Sequence, residues 1–275
     1  MLTPIDEYNG ILFKRDDKFE PYTDLPINGG KVRQAIALIE NNLEAIRTKY
    51  NNTVLTITSI NSPQGLIISR VCKEYGVNVI VGVGATSTPE KHPLIKGAIA
   101  NGADVVVLSK LGFNTALYAE AKRKYSGCFL VLFGINVANN RNAILDTTAN
   151  QVENIPDVLD YMIVPVGSAL TLLGIFEGIT KFKKTVGKII GVQIAGINRS
   201  KVFFPACKLH NFNQVLYKKY PYSKHLEIKF NDTEYLDPVY EAKAYDWLMT
   251  NLDSLPGTKL FWIVGNTTNI RRFYA

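Results

Sequence analysis

The sequence predicts an α/β protein with mostly parallel twisted sheets and helices on both faces, and three observations carry that expectation. Short apolar runs rich in Val, Ile and Leu recur along the chain, as strands buried on both faces require. Segments of helical pattern alternate with them, two closed by Gly76 and Gly102 at the C-cap. No fixed-period repeat or low-complexity linker interrupts the alternation, and the short connections suggest two intimately packed lobes.

In chain order, Val54–Thr58 reads as a buried strand, Gln64–Tyr75 as a helix and Val77–Val81 as the next strand. Lys96–Asn101 belongs to a helix, Asp104–Leu108 to a strand, Ala116–Lys124 to a helix and Phe129–Phe133 to a strand. There follow a strand Tyr161–Pro165, a helix from Thr171, a strand Ile189–Gln193, a helix around Tyr240–Met249 and a strand Leu260–Val264. The expected division is a large lobe of residues 1–46 and 139–275 with a small inserted lobe of residues 47–138.

Composition narrows the classes. The 275 residues are 47% hydrophobic, 20% charged and 11% aromatic, which supplies a real core and excludes disordered, collagen-like and coiled-coil chains. Mean hydropathy is +0.02 and no apolar run approaches the ~18 residues of a membrane span. The start MLTPIDEYNG lacks the basic and apolar regions of a signal peptide. Cys72, Cys128 and Cys207 form no CxxC, so the expected setting is reducing and cytoplasmic.

Charge is unevenly distributed. The net formal charge is +7, yet residues 181–229 alone carry eleven basic side chains and one acid, Glu227, leaving −3 on the rest. Phe203, Phe204, Phe212, Tyr217, Tyr220 and Tyr222 are interleaved with those cations. Such a block suits a polyanion, with aromatic faces available for bases, or it is a solvated face whose aromatics pack inward.

Three stretches carry candidate chemistry. Asn28-Gly-Gly-Lys-Val-Arg33, downstream of Lys14-Arg-Asp-Asp17, places a lysine after two glycines at a helix start, where an amine can act as a Schiff-base nucleophile or simply face solvent. Val164-Pro-Val-Gly-Ser-Ala-Leu-Thr-Leu-Leu-Gly174 runs from strand through a small-residue turn into a helix, a phosphate cradle or an ordinary cap. Leu236-Asp-Pro-Val-Tyr-Glu-Ala-Lys-Ala-Tyr245 opens a helix with Asp237 as N-cap, Pro238 at the first position and Tyr240 in the first turn. Walker A, GxGxxG and GxSxG patterns are absent. His92, His210 and His225 lack metal-ligand spacing, so no metal is expected, and Cys72 falls in an apolar helical register.

Taken in this order, the motifs resemble those of fold type II pyridoxal-phosphate-dependent enzymes, the tryptophan synthase β-like superfamily. The resemblance is nearest to the branch containing 1-aminocyclopropane-1-carboxylate deaminase and D-cysteine desulfhydrase. That branch has KR(E/D)D, GGNK-x-R, a serine-containing turn, a GSGGT-like loop and DPVY-x-x-KA. They correspond to Lys14–Asp17, Gly29–Arg33, Ser59–Gly65, Gly167–Thr171 and Asp237–Tyr240 with Lys243. Lys91-His-Pro93 and Gln151–Pro156 echo the branch as well, and the resemblance spans roughly residues 12 to 265.

The resemblance implies pyridoxal 5′-phosphate as cofactor and Lys31 as its Schiff-base lysine and later proton shuttle. It implies that Gly167, Ser168, Ala169, Leu170 and Thr171 hold the phosphate. Asn61, Ser62 and Gln64 would lie near cofactor and substrate, and Tyr240 would be the active-site tyrosine. Lys31, Ser62, Ser168 and Tyr240 would converge in a cleft between lobes, and the enzyme would form a homodimer.

Departures from the pattern bear on the substrate. Gly30 replaces the usual Asn, Pro63 stands where an Asn is common, Ala169 and Leu170 replace two glycines, and Asn266 replaces the second glycine of a pair after Phe261-Trp-Ile-Val264. The expected function is a lyase or deaminase acting at an amino-bearing carbon of an amino acid, by elimination, deamination or decarboxylation. One alternative is action on an amino acid attached to a DNA base and docked through residues 181–229. Another is a non-catalytic binding protein on the same fold.

Overall fold

The computed structural model describes residues 1–84, 86–112, 114–135, 141–194 and 210–275, with only the backbone of residue 141. Its strands are β1 (Ile5–Tyr8), β2 (Ile11–Arg15), β3 (Thr53–Ile57), β4 (Asn78–Gly84), β5 (Ala103–Ser109), β6 (Phe129–Val131), β7 (Val158–Val166), β8 (Thr185–Gln193), β9 (Phe212–Leu216) and β10 (Lys259–Ile263). Its helices are α1 (Gly30–Lys49), α2 (Gln64–Glu74), α3 (Pro93–Ala100), α4 (Asn114–Lys124), α5 (Arg141–Ala149), α6 (Leu170–Lys181), α7 (Glu241–Thr250) and α8 (Thr268–Phe273). Two compact units result, Met1–Gly30 with Leu145–Thr268, and Lys31–Ile144 with Asn269–Ala275.

The first unit holds a six-stranded sheet of order β1-β2-β10-β7-β8-β9, parallel except for the β1–β2 hairpin. Alternate residues of its central strands serve opposite faces. Met162, Val164, Val166, Leu260 and Trp262 pack with Leu172, Ile175, Phe176 and Ile179 of α6. Ile163, Phe261 and Ile263 pack on the other face with Ala242, Ala244, Tyr245 and Leu248 of α7. This is the two-faced parallel sheet that the apolar runs predict.

One end of this unit is tied together by buried charge. Arg15 is 1% exposed and meets Asp17 through two hydrogen bonds of 2.9 and 2.8 Å, Asp6 at 2.5 Å and Glu234 at 2.9 and 3.1 Å. Its guanidinium also lies 4.7 Å from the centre of the Phe230 ring. The neighbouring Lys14 ammonium holds the Thr3 carbonyl and Asn154, and Asp16 accepts from the Trp262 indole. The Lys14–Asp17 motif is therefore an anchor that joins the N-terminal hairpin to residues far along the chain.

The second unit holds a fully parallel sheet of order β5-β4-β3-β6. Leu55, Ile57 and Leu108 pack with Leu117 and Ala121 of α4. The strand expected over 129–133 ends at Val131. Beyond it the Gln64 amide captures the chain, donating to the Leu132 carbonyl at 2.8 Å and accepting from the Gly134 and Ile135 amides at 2.7 and 3.1 Å. Among the described residues no helix is long and apolar enough to cross a membrane.

Candidate active site

The carboxyl end of β7 feeds Gly167, Ser168 and Ala169 into α6. Ala169 turns the chain with φ +85° and ψ −6°, left-handed backbone that favours glycine, so the position where the resemblance expects glycine keeps glycine's conformation with a methyl group added. An alanine at the N-cap has no oxygen to offer, and no side chain caps this helix. Its first-turn N–H groups and the positive end of its dipole are thus presented at the strand end beside the hydroxyls of Ser168 and Thr171. Gln193, at the end of β8, holds the turn by donating to the carbonyls of Val166 and Gly167, each at 3.3 Å.

Tyr240 lies on this turn. A Cβ placed on Gly167 would stand 2.8 Å from Cε1 of its ring, so only glycine allows the approach. The sequence places Tyr240 in the first turn of a helix, but α7 begins one residue later and Tyr240 is its N-cap. The cause is Asp237, whose Oδ1 accepts from the amides of Val239 and Tyr240, both at 2.9 Å, while Oδ2 accepts from the amide and hydroxyl of Thr267. Those bonds close residues 237–240 into a turn ahead of the helix.

The Tyr240 hydroxyl meets that of Tyr222 at 2.9 Å. Burial and the neighbouring Tyr222, Asp237 and Glu241 hold the Tyr240 phenol well above its ordinary range, so it stays protonated and able to donate. Lys243 is fully buried and gives its ammonium to the carbonyls of Pro221 and Tyr222 at 2.8 and 2.9 Å. The lysine of the DPVY stretch is therefore the anchor of the Tyr222 segment.

The residues before Lys31 dock on the end of β10. The Gly30 amide donates to the Val264 carbonyl at 2.8 Å, and the Asn266 amide donates to Asn28 Oδ1 at 2.7 Å. Gly29 has φ +92°, and a Cβ there would fall on the Val264 carbonyl oxygen and 2.6 Å from Gly265 Cα. Gly29→Ala is expected to cost about 2–4 kcal/mol, combining a left-handed alanine with a backbone clash. Thermal unfolding measures this loss, and unchanged stability would show that the 28–30 segment is free to relax.

In the second unit, Ser59–Gln64 forms the loop between β3 and α2. Ser62 Oγ accepts from the Gln64 amide at 3.3 Å, and Asn61 offers its carbonyl to Arg271 at 2.8 Å. Gln64 is 1% exposed, and its side chain also donates to Thr56 Oγ1 and the Ile57 carbonyl, so the amide is committed to five bonds inside this unit. The structure thus brings Gly167, Ser168, Ala169, Leu170, Thr171 and Tyr240 together in one unit, and Asn61, Ser62 and Gln64 in the other. Sequence reasoning missed Gln193, Tyr222 and Arg271. Only the polar residue at the end of an apolar strand, Gln193, left a signal.

A parallel sheet whose strand end opens through a small-residue turn onto an uncapped helix, with a partly buried tyrosine laid on the turn, has the geometry that suits a bound anion. The profile of the family described as pyridoxal-phosphate dependent enzyme matches residues 5–214, and the chain belongs to that family. Its cofactor is pyridoxal phosphate, and it belongs with the enzymes that depend on it. A curated relative, the O-seryl-dTMP PLP-dependent decarboxylase of Salmonella phage ViI, is 22% identical over 96% of this chain and 80% of its own length.

Among solved structures, an ACC deaminase homologue superposes with TM-score 0.72 at 19% identity, covering 96% of this chain and 89% of its own. Escherichia coli diaminopropionate ammonia lyase superposes with TM-score 0.69 at 11% identity, covering 99% and 85%. The site fits the cofactor, because the turn at 167–169 leaves amide donors and two hydroxyls at a helix N-terminus where a phosphate is stabilised.

Proposed function

We propose that this chain decarboxylates an amino acid carried on a DNA nucleotide. The observation that supports this reading most is the phage relative, whose sequence aligns with nearly the whole of this chain. The +10 block at residues 181–229 adds to it, since a free amino acid gives no use for such a charge. Bound pyridoxal phosphate supplies the electron sink for the pair left when a bond at the amino-bearing carbon breaks.

The chain's own residues do the rest. Lys31 binds the cofactor through its amine and delivers a proton to the carbon that loses its carboxylate. The amides of the 167–171 turn, with Ser168 and Thr171, hold the phosphate. Tyr240 offers a protonated hydroxyl, and Ser62 and Asn61 offer polar groups from their loop. Gln64 supports that loop through its internal bonds.

The test is direct. The loaded enzyme is incubated with an oligodeoxynucleotide containing O-seryl-dTMP and, separately, with free serine. Mass spectrometry of the released nucleosides is expected to show loss of carbon dioxide from the oligonucleotide, with no turnover of the free amino acid. Ammonia release, or turnover of free serine alone, would overturn the reading.

A further inference from the structure

Sheet topology divides the basic block between two opposite ends of the first sheet. β7 runs from Val158 to Val166 and delivers the Gly167 turn at its carboxyl end. β8 lies parallel to it, so Lys181, Lys183 and Lys184, which precede Thr185, sit at the amino end. The eight steps of β7 put about 26 Å between those ends. Lys188, opposite Tyr161, is still about 16 Å short of the turn by the same rise per residue.

β9 is parallel to β8 and pairs Leu216 with Gln193, so the chain emerging at Tyr217 leaves at the carboxyl end, beside the Gly167 turn. Arg199, Lys201 and Lys208, with Phe203 and Phe204, lie outside the described residues.

Structural commitments separate the remaining cations further. Lys184 holds the Ile155 carbonyl and Asp157, Lys219 pairs with Asp246, and Lys229 holds the Asp232 carbonyl. Three of the block's aromatics, Phe212, Tyr217 and Tyr222, point inward. Phe212 packs edge-on against Phe176, Tyr217 donates to Asp246, and Tyr222 meets Tyr240. These inward contacts leave Phe212, Tyr217 and Tyr222 engaged in the fold, not offered to bases. They also pin the segment 217–224 at Tyr217, Pro221 and Tyr222, with Lys243 beneath it. Lys218 and Lys224 lie on this pinned segment and are exposed; the Lys224 backbone amide donates to the Pro221 carbonyl at 3.1 Å, while the two ammonium groups make no hydrogen bond or ion pair among the described residues.

We propose that Lys218 and Lys224 form the phosphodiester-binding surface of the enzyme, holding the DNA backbone at the end of the sheet where the Gly167 turn and Tyr240 stand. This rests on the nucleotide-linked substrate proposed above and assigns, among the described cations of its docking block, two on one segment to that end of the sheet. Tyr222, between them in sequence, connects the segment to Tyr240 through one hydrogen bond, so a strand held by the two lysines is carried past the site. The cations at the amino end are excluded by distance.

The experiment compares wild type, Lys218→Glu/Lys224→Glu and, as the opposite-end control, Lys181→Glu/Lys183→Glu, each loaded with cofactor. The probe is a fluorescein-labelled single-stranded oligodeoxynucleotide, titrated at several salt concentrations. Lys218→Glu/Lys224→Glu is expected to bind at least about tenfold more weakly, and its log–log salt slope to fall by about 1.4, two phosphate contacts at about 0.7 each. The control should bind like wild type. Equal weakening in both variants, or weakening in the control alone, would overturn the assignment while leaving the DNA-linked substrate standing. Absence of wild-type binding at low salt would overturn both. A circular-dichroism spectrum matching wild type confirms that the variants are folded.

Discussion

Lys31→Ala is expected to abolish the cofactor's borohydride-sensitive visible absorption band and to lower turnover by about 10³-fold or more. The residue is the second of α1, directly after Gly30, whose amide is bonded to the Val264 carbonyl. In the proposed role, removing its amine would take away the covalent attachment and the proton donor at once, and general acid–base catalysis alone is worth about 10²–10⁴. Purified wild type and variant, titrated with pyridoxal phosphate and then treated with borohydride, supply the measurement. Retention of the reducible band in Lys31→Ala would place the attachment on another lysine. A Lys31-dependent band with no turnover of any amine would favour a binding protein on this fold.

The second large effect concerns stability. Arg15→Met keeps most of the side-chain volume but leaves Asp17 buried without its bidentate partner, and breaking such a buried pair costs about 3–5 kcal/mol. For a domain of this size that lowers Tm by roughly 6–20 °C. The pH dependence has a definite sign. Arg15 and Lys18 hold the Glu234 carboxyl down from 4.5 to about 2, so the stability it contributes is present above its unfolded value and lost as pH falls through that interval.

Burial pushes the Asp17 carboxyl upward, and losing Arg15 pushes it further, so acid protonates and relieves it in the variant. Both carboxylates therefore narrow the gap between wild type and Arg15→Met as pH falls from about 5 to about 2. Thermal unfolding across that range checks the point. A gap that is constant with pH would mean that Arg15 acts through packing on Phe230 and not through charge.

Much of the architecture was legible in the sequence because buried parallel strands announce themselves as apolar runs. Val54–Thr58 and Thr53–Ile57 are one strand read and observed, and the runs at Asp104 and Leu260 are equally close, while the strand read as Tyr161–Pro165 begins three residues earlier, at Val158. Elements that escaped lack that signature. The β1–β2 hairpin turns on Asn9 and Gly10, both at positive φ, an Asn-Gly signal that its short, partly exposed strands obscured. β9 is half-exposed at the sheet edge, and its neighbouring lysines read as a charged surface.

For the site, motif order carried the family. Glycine-flanked Lys31 and the 167–171 turn fall within residues 5–214, the stretch that the family profile matches, and the 237–243 stretch lies beyond it. Local pattern could not tell Tyr240 at the N-cap from Tyr240 in the first turn, because Asp237 is divided between its own turn and Thr267, thirty residues away.

The sequence by itself determined the alternating parallel architecture, through local periodicity, and the cofactor class, through the resemblance that its short motifs in their order bear to a known family. Tertiary structure alone decided how side chains are spent. Gln64 is consumed in shaping the 132–135 turn, Lys243 in pinning Tyr222, and Ala169 adopts a glycine's backbone. It also split one run of positive charge between two ends of a sheet. Parallel strands must cross over to begin again at the same edge, so residues close in sequence end up about a strand's length apart. Hydrogen-bond partners and sheet ends are long-range properties, and no window of local sequence contains them.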